Sequence, residues 1–163
     1  MYPSILYHGS IFESKELKPS YLITKIKNQW DDTESNEYLY STTDKNLAIM
    51  MGAAAECERM GAISVHTTEN EFKAVWENAY PRSVLHYTKI YIYTITNDPK
   101  DKWIKVNNKN NLTVDEYKTK SIISKDNFTV EELDFKQWAK SNNINIIVTT
   151  QKHLQTPRTL SWK

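Results

Sequence analysis

The apolar residues of this chain change their period after Gly61, and that change limits the folds open to it. Between Thr43 and Gly61 they recur at helical spacing, with Leu47, Met50, Met51, Ala54 and Cys57 or Glu58 along one stripe of an Ala-rich run, so the segment reads as an amphipathic helix. Thr43 or Asp44 is its expected N-cap, because a short side-chain oxygen there accepts from a first-turn amide. Gly61 is the expected left-handed stop. After it the period changes to two. Residues 62–66, 71–76, 87–96, 103–106 and 117–123 read as strands, the third with Ile90 and Ile92 on one face and Tyr91 and Tyr93 on the other. Ahead of the helix, residues 5–8 and 38–41 read as short strands, residues 13–17 as a helical turn stopped by Pro19, and residues 20–37 as a loop. Thr129-Val130-Glu131-Glu132 has the form of a capping box, which predicts a helix to about Ser141. Residues 144–149 close the chain as a last strand. Strand, helix, many strands, helix, strand is an α+β order, not a repeating βαβ one.

Composition adds exclusions. A chain of 163 residues, 39% apolar and 25% charged, suits one domain over residues 1–163 that buries roughly 70% of its unfolded surface without a metal or disulfide staple. Lys plus Arg number 21 and Asp plus Glu 20, so no net field draws the chain to nucleic acid or to a membrane. Cys57 is alone, and His8, His66, His86 and His153 lie far apart, so no disulfide framework and no metal site is expected. No apolar run approaches the roughly 20 residues of a membrane span. The first residues lack the pattern of a secretory signal, which makes the cytoplasm the expected location and leaves the triplets beginning at Asn111 and Asn127 unused for glycosylation. The Asn- and Lys-rich stretch at 107–111 reads as an exposed loop.

Three segments carry more than core logic. Tyr7-His8-Gly9-Ser10 ends a strand at a glycine, where a histidine ring edge is presented and a bare backbone admits close approach of a ligand. Tyr38-Leu39-Tyr40-Ser41-Thr42-Thr43 feeds an aromatic strand into a capped helix, so Tyr40 could stack on a flat ligand. Val114-Asp115-Glu116-Tyr117 opens a strand with a carboxylate that can project into a cleft. Each segment alone has a plain structural reading as strand end, cap or solvated acid.

Taken in order, they resemble the His-Tyr-Glu signature of the diphtheria-toxin and poly-ADP-ribose-polymerase branch of the ADP-ribosyltransferases. The match is closest over residues 6–51, and over the same stretch the chain is also similar to the small rifamycin-modifying transferases. The resemblance implies a split β-sheet core that binds NAD as co-substrate, with no metal. It implies that His8 hydrogen-bonds an NAD ribose hydroxyl, that the Gly9 backbone holds the carboxamide with Ser10 close by, and that Tyr40 stacks on the nicotinamide with Ser41 near it. Glu116 would hold the 2′-hydroxyl of the nicotinamide ribose and stabilise the oxocarbenium-like cation formed as nicotinamide leaves. That chemistry suits a carboxylate placed in a water-poor cleft, which stabilises a developing positive charge more than the ground state.

The chain departs from the pattern in two places. Met51 stands where the branch has a second tyrosine closing the other ring face; a thioether there contributes about 0.3–1.5 kcal/mol of aromatic contact. By analogy with the rifamycin-modifying enzymes, Asp98 or Asp101 competes with Glu116 as the acid, and Tyr117 after Glu116 favours the latter. The three arginines, Arg59, Arg82 and Arg158, do not suit the arginine-type transferases or an RNA 2′-phosphotransferase. Trp30 falls in the loop that would cover a nicotinamide pocket; Trp76, Trp103, Trp138 and Trp162 read as core or cleft wall, His66 and His86 as structural, Cys57 as buried, and residues 151–163 as a mildly basic end. The expected protein is a compact mono-ADP-ribosyltransferase of phage or mobile-element type, acting on a host macromolecule, protein in preference to nucleic acid. An inactive relative that binds a partner through the same scaffold, and a plain NAD glycohydrolase, are the alternatives.

Overall fold

A computed structural model of the chain describes residues 3–19, 38–59, 62–68, 71–76, 89–106, 115–150 and 158–159. The expected loops at 20–37 and 107–111, Gly61, His86, His153, Trp30, Trp162 and most of the 151–163 end lie outside the described residues, as do the side chains of Ala54, Cys57, His66 and Trp76. Among the described residues there are ten strands and two α-helices: β1 (Ile5–Ser10), β2 (Leu39–Thr42), α1 (Lys45–Arg59), β3 (Ala62–Thr68), β4 (Glu71–Trp76), β5 (Lys89–Thr96), β6 (Ile104–Lys105), β7 (Glu116–Thr119), β8 (Phe128–Asp134), α2 (Phe135–Ser141), β9 (Asn145–Thr150) and β10 (Arg158–Thr159). The fold is α+β, as the change of period implies.

The strands form two sheets, in the orders β6–β7–β2–β1–β5–β8 and β10–β9–β4–β3. In the first, β2 pairs antiparallel with both β1 and β7, and β6 with β7. In the second, β3 and β4 form an antiparallel pair while β9 adds to β4 in parallel, a pairing that needs the long connection through β5 to α2. By compactness the chain divides into two units, each woven from alternating segments. The first comprises Met1–His8, Glu13–Lys45 and Tyr93–Val130, the second Gly9–Phe12, Asn46–Ile92 and Glu131–Lys163. Leu6, Tyr93, Ile95, Tyr117 and Ile123 are core residues of the first unit, and Met50, Ile90, Ile92 and Ala139 of the second.

On β5, Ile92 and Tyr93 fall on opposite faces, as the alternation implies, and both are fully buried, β5 being an interior strand of its sheet. The Tyr93 hydroxyl oxygen accepts from the Ser14 amide at 2.8 Å, which satisfies the polar tip of a ring that is otherwise wholly buried. Residues 13–17 form no helical turn; the Leu17 amide and carbonyl instead exchange hydrogen bonds with Ile123 at 3.0 and 2.9 Å. The strand expected over 117–123 stops at Thr119, whose hydroxyl donates to the Asp101 carbonyl and accepts from the Ser121 amide. The Thr129–Glu132 capping box is not used. Phe128–Asp134 is an outer strand of the first sheet, and Asp134 caps the short α2 through the Gln137 amide at 3.0 Å. Thr129 to Glu132 are all exposed, so a polar run with one buried phenylalanine serves an edge strand as well as a helix start. At α1 the turn amide of Asp44 is accepted by Thr42 at 3.2 Å, while Thr43 is tied to the Asp115 carbonyl by its amide. The buried run of α1 is Leu47 to Met50; Met51, expected on the apolar stripe, is 46% exposed.

Candidate functional site

Three adjacent strands, β1, β2 and β7, carry His8, Tyr40 and Ser41, and Glu116 respectively. The register sets Tyr7 opposite Thr42 and Thr42 opposite Glu116, with Tyr40 opposite Lys118 one rung along. Residues opposite one another in an antiparallel ladder share a face, and neighbours along a strand alternate. Tyr7, Tyr40, Thr42, Glu116 and Lys118 therefore occupy one face, and Leu39, Ser41, Tyr117 and Thr119 the other. Burial follows this division, since Leu39, Ser41, Tyr117 and Thr119 are buried while Tyr40, Glu116 and Lys118 are half-buried. Thr42 is the exception, its hydroxyl held between the Asp115 carbonyl and the Asp44 amide, which fixes the start of β7 against the end of β2.

His8 sits at the seam between β1 and β2. Alternation from Tyr7 sends it toward the Ser41 face, where its ring lies 6.1 Å from that of the buried Tyr93. Its Nδ1 donates to the Tyr40 carbonyl at 2.7 Å, which fixes the tautomer and leaves Nε2 as an acceptor. Nε2 has no partner among the described residues. Desolvation of the ring lowers the His8 pKa, opposed in part by that bond to Tyr40, so the imidazole is neutral at pH 7. The buried Ser41 hydroxyl also has no partner among the described residues. The seam thus offers Nε2 as an acceptor and the buried Ser41 hydroxyl, and a buried hydroxyl whose hydrogen bonding is unfilled calls for a ligand or a water.

Glu116 is half-buried at the start of β7, and desolvation raises its pKa, with Lys118 on the same face pulling the other way. No cation lies within ion-pair distance of it among the described residues; the nearby Lys105 is taken by Asp115 at 3.1 Å. The competing carboxylates are placed differently. Asp98 caps the 3-10 turn Pro99–Asp101 by accepting from the Lys100 amide at 2.9 Å. Asp101 is 8% exposed, its Oδ2 is buried without a partner among the described residues, and its pKa is raised first by desolvation, then by Asp98, against a hydrogen bond from Asn127. A cleft of about 390 Å³ adjoins this turn, lined by Pro3, Ser4, Asn97, Pro99, Lys102 and Trp103. Neither aspartate is among those residues, nor is any of His8, Tyr40, Ser41 or Glu116.

Gly9 has a packing reason for lacking a side chain. A Cβ there would meet the Ala48 carbonyl oxygen at 2.0 Å and the Gly52 Cα at 3.0 Å, and a Cβ on Gly52 would meet the Gly9 backbone at 3.0 Å. Two of the three glycines of the chain thus let β1 and α1 touch backbone to backbone. Ser10 accepts from the Phe12 amide at 3.1 Å, an ordinary turn bond. Sequence reading missed that Tyr38, Lys118 and Lys120 belong beside Tyr40 and Glu116. The signal was period-two spacing in both segments, which points to one surface only when β2 and β7 are known to pair.

No family model matches the chain, and no curated protein or solved structure matches it. Among the described residues no helix is long and apolar enough to cross a membrane, and no three His, Cys, Asp or Glu side chains form a metal-binding group.

Proposed function

We propose that the protein is a mono-ADP-ribosyltransferase of the His-Tyr-Glu type that cleaves NAD and passes ADP-ribose to an acceptor. The observation that carries this reading is the adjacency of β1, β2 and β7, which brings three residues 32 and 76 positions apart in sequence onto neighbouring strands in the order His8, Tyr40, Glu116. His8, neutral and with Nε2 available, accepts from a ribose hydroxyl. The Tyr40 ring gives the nicotinamide a stacking partner. Glu116, ionised, faces the anomeric carbon as the C–N bond breaks and its electron pair leaves with nicotinamide; the acceptor nucleophile then bonds to that carbon and loses its proton. A half-buried carboxylate stabilises the transient cation more than a solvated one would.

A second reading is a scaffold that binds a partner and does no chemistry. Two observations favour it. Alternation sends His8 toward the opposite face from Tyr40 and Glu116, and the residue in place of the second stacking tyrosine, Met51, is largely exposed. Incubating the parent protein and Glu116→Gln with NAD, and measuring free nicotinamide, separates the two. Release by the parent alone supports the transferase and assigns the acid. Release by both moves the acid elsewhere, and release by neither, with cell lysate as acceptor source, favours the scaffold.

A further inference from the structure

We propose that the half-exposed face of β2 and β7 binds single-stranded nucleic acid, and that on the transferase reading this strand is the acceptor. The face is a short ladder with two ends. At one end Thr42 stands opposite Glu116; on the next rung Tyr40 stands opposite Lys118; Tyr38 and Lys120 follow at the same spacing. The ammonium groups of Lys118 and Lys120 lie 4.3 and 5.2 Å from the centre of the one Tyr38 ring. The Tyr38 and Tyr40 rings meet edge to face, 6.3 Å apart. Ile104, opposite Lys118 on β6, is 51% exposed and extends the same surface with apolar area.

Two ammonium groups beside one ring add positive charge to this face, and a phosphate close to both is attracted by each. Lys118 and Lys120, two residues apart at the end of β7, and Tyr38 and Tyr40, two apart at the start of β2, set cations beside aromatic rings, the first suited to phosphates and the second to bases. That combination is what single-strand binders use, with stacking worth about 1–3 kcal/mol per base. A duplex keeps its bases paired and offers nothing to the rings, and an acidic peptide makes no use of two of them. The near-zero net charge that favours a protein acceptor is an average over the chain, and it does not describe this face. Glu116 lies one rung beyond Lys118, so a base or sugar next to a bound phosphate is within reach of the carbon that loses nicotinamide.

The test is fluorescence anisotropy of a labelled 20-nucleotide single strand with the full-length protein, at two salt concentrations. Lys118→Glu/Lys120→Glu should bind at least tenfold more weakly, and the salt slope should fall by roughly 0.7 for each phosphate that the variant no longer neutralises. Lys136→Glu/Lys140→Glu, with the same change of net charge on α2 in the other unit, should bind as the parent does, which controls for net charge. Circular dichroism of the double variant shows whether it is folded; if it is not, the salt slope of the parent and competition against it decide. Equal binding by folded parent and double variant overturns the proposal, as does displacement of the strand by poly-glutamate at matched charge. The chemistry is read separately, as label from NAD carried onto the strand. NAD cleavage by the parent without strand binding overturns this inference and leaves the transferase standing; strand binding without NAD cleavage supports the surface and removes its role as acceptor.

Discussion

Glu116 and Asp101 are both carboxylates held partly out of water, and both have pKa values raised first by desolvation, yet their surroundings differ in kind. Asp101 closes a 3-10 turn, its carbonyl takes the Thr119 hydroxyl, and its side chain is 8% exposed with one oxygen unpartnered among the described residues. Glu116 stands on a half-open ladder beside Lys118, Thr42 and Tyr40. A shifted pKa reports burial, which a structural turn and a reactive site produce alike. Exposure distinguishes them, since Glu116 is half-buried and Asp101 buried.

The largest expected effect tests that distinction. Glu116→Gln should slow nicotinamide release by about 10²–10³-fold, as removal of a preorganised charge does, whereas Asp101→Asn should leave the rate of the parent. The opposite result would exchange the two roles. Next is Gly9→Ala, whose methyl group meets backbone and not a mobile side chain. It should cost at least about 1–3 kcal/mol, lowering Tm by roughly 2–4 °C for each kcal/mol in a chain of this size; an unchanged Tm would mean that β1 and α1 do not touch there. Thr119→Val removes the donor to the Asp101 carbonyl and the acceptor for Ser121, and should cost about 1–2 kcal/mol in urea unfolding.

The pH dependence sharpens the comparison further. A carboxyl whose folded pKa lies above its unfolded value binds more protons when folded, so its contribution to stability is complete below about pH 4 and is lost as pH rises through the folded value. Glu116 and Asp101 both have that sign. His8 has the other, since its lowered pKa gives a contribution complete above about pH 6.5 and lost as pH falls through the folded value. Asp101→Asn should therefore flatten the carboxylate part of the urea-midpoint profile without moving the acidic limb of nicotinamide release, and Glu116→Asp should move that limb. The smallest effect is expected at Lys89→Met, which breaks an exposed ion pair with Glu132; the urea midpoint should not change measurably.

The helix at 45–59 and most strands were legible because their periods are long and unmixed. Shorter signals were ambiguous. Thr129-Val130-Glu131-Glu132 reads equally as capping box and polar edge strand, and the neighbour that decides between them, β5, lies some forty residues away in sequence. His8, Tyr40 and Glu116 were legible as residue types in order. Their faces were not, because a face follows from register, and register from which strand lies beside which. Gly9 shows the converse: a glycine beside a histidine reads as room for a ligand, and its space is taken by Ala48 and Gly52 of α1.

By itself the sequence determined the α+β class, the position of the long helix and the identity of the polar groups available for chemistry, because period and residue type are local properties. The pairing of β7 with β2, the split of His8 from Glu116 across the seam and the gathering of Lys118 and Lys120 at Tyr38 were decided only by the tertiary structure. Each depends on residues about 75 to 110 positions apart along the chain meeting in space, and no local preference encodes a partner at that distance.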